Sequence, residues 1–204
     1  MTLTIWISLF LVSLLGAMSP GPSLATVAKH TLSGKRINGI AAAWAHSIGI
    51  GCYAFITVIG LAVVLQQSPM LFKGISYLGA AYLVYLGLGA LRSTGGIAAR
   101  LESGQQVTII ESAKEGLLIS LLNPKIALFF LALFSQFVAV GNGPLDKAII
   151  VITPIVVDGL WYTIISCLLS APKIVDKLRA QAKWIDRLSG VVLILLAVRV
   201  VFSA

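Results

Sequence analysis

Leu14-Leu15-Gly16-Ala17-Met18-Ser19-Pro20-Gly21-Pro22-Ser23 lies within a run of the chain that carries no charged side chain before Lys29. Two prolines and two glycines so close together end a helix, because proline lacks the amide proton and its ring clashes with the preceding turn. In water such a stretch is a loop. In hydrocarbon the freed backbone groups must find partners in protein, trapped water or a ligand, so the same stretch marks an interior. Which of the two readings applies depends on the solvent around it.

The remaining sequence answers that. The chain has 204 residues, of which 58% are hydrophobic and 11% charged, with a mean hydropathy of +1.00. A soluble domain carries about 25% charged residues. Apolar runs long enough for the roughly 20 residues that a bilayer crossing needs recur at Leu3 to Ala28, Ile37 to Leu65, Pro69 to Leu91, Gly116 to Val140, Ala148 to Ala171 and Leu188 to Phe202. The expected fold is an all-α integral membrane protein of six transmembrane helices, forming one transporter domain over residues 1–204. The first span starts at the amino terminus, yet a signal peptide needs a positively charged front and the first basic residue is Lys29, so the span is expected to be retained.

Basic residues set the orientation. Lys29, Lys35, Arg36, Arg92, Arg100, Lys114, Lys173, Lys177, Arg179, Lys183 and Arg187 flank one side, against Lys73 and Lys147 on the other. The positive-inside rule then places both termini outside the cytoplasm. A net charge of +8 suggests nucleic acid only for a soluble domain. Here topology accounts for it, and the segment from Lys173 to Arg187 lies against anionic lipid headgroups. Cys52 and Cys167 stand singly in apolar spans, without a CxxC motif or a neighbouring His, and read as small core residues rather than a redox pair or metal site. Neither a metal site nor a cofactor is called for.

The spans divide as three and three around a polar connection at about 93–114, giving repeats at about 1–92 and 115–204. Ser19-Pro20-Gly21-Pro22 in the first span has a counterpart in Asn123-Pro124-Lys125 in the fourth. Lys73 to Gly87 in the third span aligns without a gap on Lys183 to Ala197 in the sixth. An odd number of spans per half makes the second half enter from the opposite side, the inverted-repeat plan whose sites lie between broken helices near the midplane. Helices 1 and 4 are therefore expected to break at proline.

Ser19 before Pro20, and Asn123 before Pro124, follow the grammar of a helix start. Ten residues separate Ser19 from Lys29 and eight separate Asn123 from Glu115, so both breaks lie roughly 12 to 15 Å deep at the helical rise. Two helix amino termini converging there would suit the carboxylate of a small molecule, although a packing kink needs the same prolines. Lys125 and Asp158 fall mid-span, where an ionised group costs at least a few kcal/mol unless paired or hydrated. They either pair with each other, or Lys125 joins the anion cradle while Asp158 receives a substrate amine or exchanges a proton. His46 reads as an interhelical hydrogen-bonding group or, with Asp158, as a proton relay. Arg199, near the outer end of the last span, reads as snorkelling to the interface. Among Tyr53, Tyr82, Tyr85, Trp161 and Tyr162, the pair Trp161-Tyr162 is the best candidate for a pocket wall, one turn beyond Asp158.

At these residues the chain resembles the LysE/RhtB family of bacterial amino-acid exporters. The resemblance spans the chain: Ser-Pro-Gly-Pro at Ser19 to Pro22, Gly-Ala-Ala-Tyr-Leu-x-Tyr-Leu-Gly at Gly79 to Gly87, Asn-Pro-Lys at Asn123 to Lys125 and Asp-x-x-Trp at Asp158 to Trp161. It implies secondary active export, not enzymatic chemistry. The substrates it implies are amino acids or derivatives of the homoserine, threonine, leucine or homoserine lactone class, moved across the bacterial inner membrane by proton antiport. Ser19, Pro20, Gly21, Pro22, Asn123, Pro124, Lys125, Asp158, Trp161 and Tyr162 are the expected substrate-binding residues, and Asp158 and His46 the proton-coupling ones. Partners are the amino acid, protons and membrane lipid, with room for a homo-oligomer. A divalent-cation exporter would need clustered His, Asp, Glu or Cys, and a membrane thiol-redox protein would need Cys52 and Cys167 within about 7 Å at their Cα atoms.

Overall fold

The computed structural model describes residues 1–19, 21–92, 107–134, 137, 143–170 and 172–203, and among them there are helices and no strand. Helix α1 (Leu3–Met18) starts at Thr2, whose side chain accepts from the Ile5 amide. It stops at Ser19, which is extended at φ −65° and ψ 118° and turns its amide back to the Leu15 and Gly16 carbonyls. Helix α2 (Pro22–Ser33) begins after Gly21, with Pro22 in its first turn, where the absent amide proton costs nothing. Ser19 therefore closes α1, and the restart expected at Pro20 comes at Pro22. Pro20 lies outside the described residues. The axes of α1 and α2 meet at 63°.

Helices α3 (Arg36–Gln67) and α4 (Pro69–Leu91) follow, the second capped by Ser68 with Pro69 in its first turn. Helix α5 (Ile109–Leu121) opens on a capping box, in which Thr108 and Glu111 satisfy each other's backbone amides,. Helix α6 (Pro124–Phe129) restarts as expected. Asn123 is its N-cap, with the side chain accepting from the Lys125 amide at 3.0 Å. A π-helical turn at Phe130–Phe134 continues it, and the bend at the break is 47°. Helix α7 (Pro144–Leu169) contains Pro154, and α8 (Pro172–Ser203) completes the chain.

Arg36–Gly60, Lys73–Leu91 and Pro144–Leu169 are each long and apolar enough to cross a bilayer, and the two bent pairs raise the number of candidate spans from three to five. The sixth expected span, Leu188 to Phe202, is the apolar end of α8 and is shorter than the others. The distribution of side chains suits lipid. Leu3, Ile7 and Leu11 form an exposed stripe on α1, while Ser23, His30, His46, Ser47, Asp158 and Ser166 are buried. A protein whose solvent is hydrocarbon has no reason to hide leucine and every reason to hide serine.

Close backbone approach holds the helices. A Cβ on Gly116 of α5 would overlap the carbonyl of Ala42 in α3, and one on Gly190 of α8 would come within 2.6 Å of the Gly87 carbonyl in α4. Small residues at such crossings let dispersion replace the hydrophobic effect that lipid cannot supply. Helix α3 packs on both α5 and α7, α1 packs on α7, and α4 packs on α8. At one end of the molecule Lys29 donates to both oxygens of Glu115, at 2.9 Å each, and His30 Nε2 lies 3.0 Å from Oε2, tying α2 to α5.

Candidate functional site

The two breaks and Pro154 of α7 meet around one interior cavity. Because α1 ends at Ser19 and α2 begins three residues later, the chain presents carbonyl groups and amide groups within a few ångströms of each other. Lys125, in the first turn of α6, crosses to the first break and donates from Nζ to the Ser19 carbonyl at 2.9 Å. Gly21 makes room for it: a Cβ there would sit 3.3 Å from that Nζ. The Ser19 hydroxyl lines the cavity, is buried, and has no hydrogen-bond partner among the described residues. The N-cap of α2 is Gly21, which has no side chain to satisfy the first amides of the helix, and such amides suit a ligand or water.

Opposite Lys125 runs a chain of buried polar groups contributed by α2, α3 and α7. His46 Nδ1 is 2.7 Å from Asp158 Oδ2, and His46 Nε2 is 2.8 Å from Ser23 Oγ. Asn123 donates from its amide to the same Ser23 oxygen at 3.4 Å. Asp158 is 4% exposed and His46 1%, so charge in this chain is removed from water. The His46 ring therefore bridges the Asp158 carboxylate and the Ser23 hydroxyl, one through each ring nitrogen, and Ser23 also accepts from Asn123. Tyr162, one turn after Asp158, closes the chain with its ring edge-on to His46 at 5.3 Å between centroids.

The structure thus brings Ser19, Asn123, Lys125, His46, Asp158 and Tyr162 together, with Gly21 against Lys125 and with Pro22 and Pro124 as the first residues of α2 and α6. Trp161 points elsewhere. It borders a surface groove with Trp6, Phe10 and Leu14. Tyr53 donates to the Leu121 carbonyl at the end of α5, and Tyr85 is 70% exposed. Sequence reasoning missed Ser23 and the apolar wall formed by Ile50, Phe129, Phe130 and Phe134. Ser23 had a signal, a hydroxyl one residue into a restarted helix. The aromatics had none, because phenylalanine is ordinary in any span. Among the described residues no three His, Cys, Asp or Glu side chains are grouped to hold a metal ion. Cys52 and Cys167, expected in the core, are both exposed, since a thiol is apolar enough to face hydrocarbon.

Residues 14–204 match the family model of the LysE type translocators, and the chain belongs to that family. It is 30% identical to an uncharacterized membrane protein of Haemophilus influenzae, over 97% of this chain and 96% of the relative. It is 28% identical to the threonine efflux protein of Escherichia coli K12, over 92% and 93%. With the leucine efflux protein of Salmonella choleraesuis it shares 35% identity over 59% of this chain and 57% of that one. No solved structure matches it.

Proposed function

We propose that this LysE-type translocator is a secondary exporter of small amino acids or their close derivatives, driven by proton antiport across the bacterial inner membrane. The observation that carries the reading is one cavity lined by a half-buried lysine that bridges the two helix breaks and by a buried His46–Asp158 pair. A zwitterion needs both: an anion site for its carboxylate and a cation site for its ammonium. Lys125, the Ser19 hydroxyl and the uncapped amides of α2 hold the carboxylate, and Asp158 receives the ammonium. Threonine and leucine efflux proteins among the relatives support an amino acid as cargo.

Proton coupling follows from competition for one carboxylate. Asp158 ionised binds the amine, and a proton delivered through His46 displaces it, so substrate and proton exchange rather than travel together. Six spans in two inverted repeats suit this exchange, with α3 and α7 packed together beside the site and α4 packed on α8 away from it. The pairing of α5 with α3 and of α1 with α7 supports that plan. Both termini then lie outside the cytoplasm, as the basic side chains require.

The test is efflux of radiolabelled amino acids from proteoliposomes with and without an imposed pH gradient. Asp158→Asn is expected to abolish gradient-driven efflux while the protein still inserts and purifies. Efflux that keeps its rate and pH dependence in this variant would rule out Asp158 as the coupling group.

A further inference from the structure

The cavity is divided by chemistry as well as by position. Its polar members, Ser23, His46 and Asp158, belong to one hydrogen-bonded chain, and Lys125 with Ser19 forms the facing group. Its other walls, Ile50, Ile126, Phe129, Phe130 and Phe134, all belong to the main apolar cluster. The rings form a continuous face: Phe129 meets Phe130 edge-on at 6.1 Å and Phe130 lies 4.2 Å from Phe134. Ser13, farther back along α1, also borders the cavity, but its hydroxyl proton is committed to the Leu9 carbonyl at 2.8 Å.

Resting on the export reading, we infer that this apolar compartment takes the substrate side chain, and that the protein selects amino acids with branched aliphatic or thioether side chains over hydroxylated ones. A threonine or homoserine hydroxyl placed there would leave water and meet apolar walls broken only by the Ser13 oxygen, which can accept its proton but has no proton to give, whereas a leucine or methionine side chain would exchange water for aromatic and aliphatic surface. A hydrophobic pocket distinguishes a hydroxyl from its apolar counterpart by about tenfold to a hundredfold.

Gly16 sets the size of the compartment. A Cβ on it would lie 2.5 Å from Phe129 Cζ and 2.8 Å from Cε1, so the Phe129 ring rests directly on the α1 backbone. A methyl group at residue 16 must displace the ring that forms the cavity wall. Gly16 is therefore a specificity-determining residue that acts through Phe129.

The experiment measures efflux of radiolabelled leucine, threonine and alanine from proteoliposomes at matched protein content. Leucine is expected to leave about tenfold faster than threonine. Gly16→Ala is expected to lower the leucine-to-alanine ratio about tenfold, since the displaced ring obstructs a long side chain more than a methyl. Ile50→Thr, which adds a hydroxyl to the compartment without touching Gly16 or Phe129, is expected to shift the leucine-to-threonine ratio toward threonine. Equal rates for leucine and threonine in the unaltered protein overturn the inference and leave export intact. Gly16→Ala and Ile50→Thr variants that change every rate in proportion overturn the assignment of these residues. If none of the three amino acids moves, the export reading itself falls.

Discussion

Lys125 is the residue whose position says most about chemistry. A lysine in the first turn of a helix opposes the helix dipole, so its local setting is unfavourable. What compensates is the carbonyl end of α1, reached at Ser19. A carboxylate entering between α1 and α2 would meet the full charge of Lys125 beside the uncapped amides of α2. Lys125→Ala removes the charge but leaves those amides, so efflux of a carboxylate substrate should fall about tenfold or more, the scale of a lost charge-assisted hydrogen bond. An amide or lactone of the same amino acid carries no negative charge and should lose less. Equal losses for both would make Lys125 a strut between the two breaks.

At the scale of the element, the broken spans owe their geometry to caps and their packing to missing side chains. Pro22 and Pro124 start helices where proline is harmless, and Asn123 satisfies an amide that would otherwise be orphaned,. Gly116 lets the α5 backbone rest on the Ala42 carbonyl of α3, whereas a methyl group added at Gly60 or Gly74 would meet nothing within 4 Å. Gly116→Val should therefore lower the thermal midpoint in detergent, at a cost of about 1–3 kcal/mol or more for overpacking. Gly60→Ala and Gly74→Ala should hold or raise it, by up to about 1 kcal/mol from helix propensity. If the three substitutions were indistinguishable, close backbone contact would not be what joins α3 to α5.

For the whole molecule, the proposed inverted-repeat arrangement rests on the uneven distribution of basic residues along the sequence and on the two helix breaks. The Lys29–Glu115–His30 group ties the C-terminal half of α2 to the middle of α5. Lys29 and Glu115 are 42% and 43% exposed at their side chains, and an ion pair so placed contributes about 1 kcal/mol or less. Reporter fusions at Ser103 and Ala204 should report opposite sides of the membrane, Ser103 cytoplasmic. A cytoplasmic carboxyl terminus would overturn the six-span arrangement, since an odd number of crossings after a cytoplasmic Ser103 must end outside.

The membrane class, the broken helices and the mid-span Lys125 and Asp158 were legible in the residues, because each rests on a local rule. A bilayer needs a certain apolar length, proline cannot donate, and a charge in hydrocarbon must have a purpose. Asn123 capping α6 is local in the same way. The partners were not legible. His46 is 112 residues from Asp158, and Lys125 is 106 from Ser19. No spacing rule links groups on different helices, and either could have paired otherwise. The first break shows the limit even at short range: Ser19 reads as an N-cap, yet it closes α1, and Gly21 is the N-cap of α2. The division of the cavity into a polar and an aromatic half depends on which faces of α1, α3, α6 and α7 turn inward. That choice is made by packing, where Gly16 accepts the ring of Phe129 and Ser23 accepts the bond of Asn123.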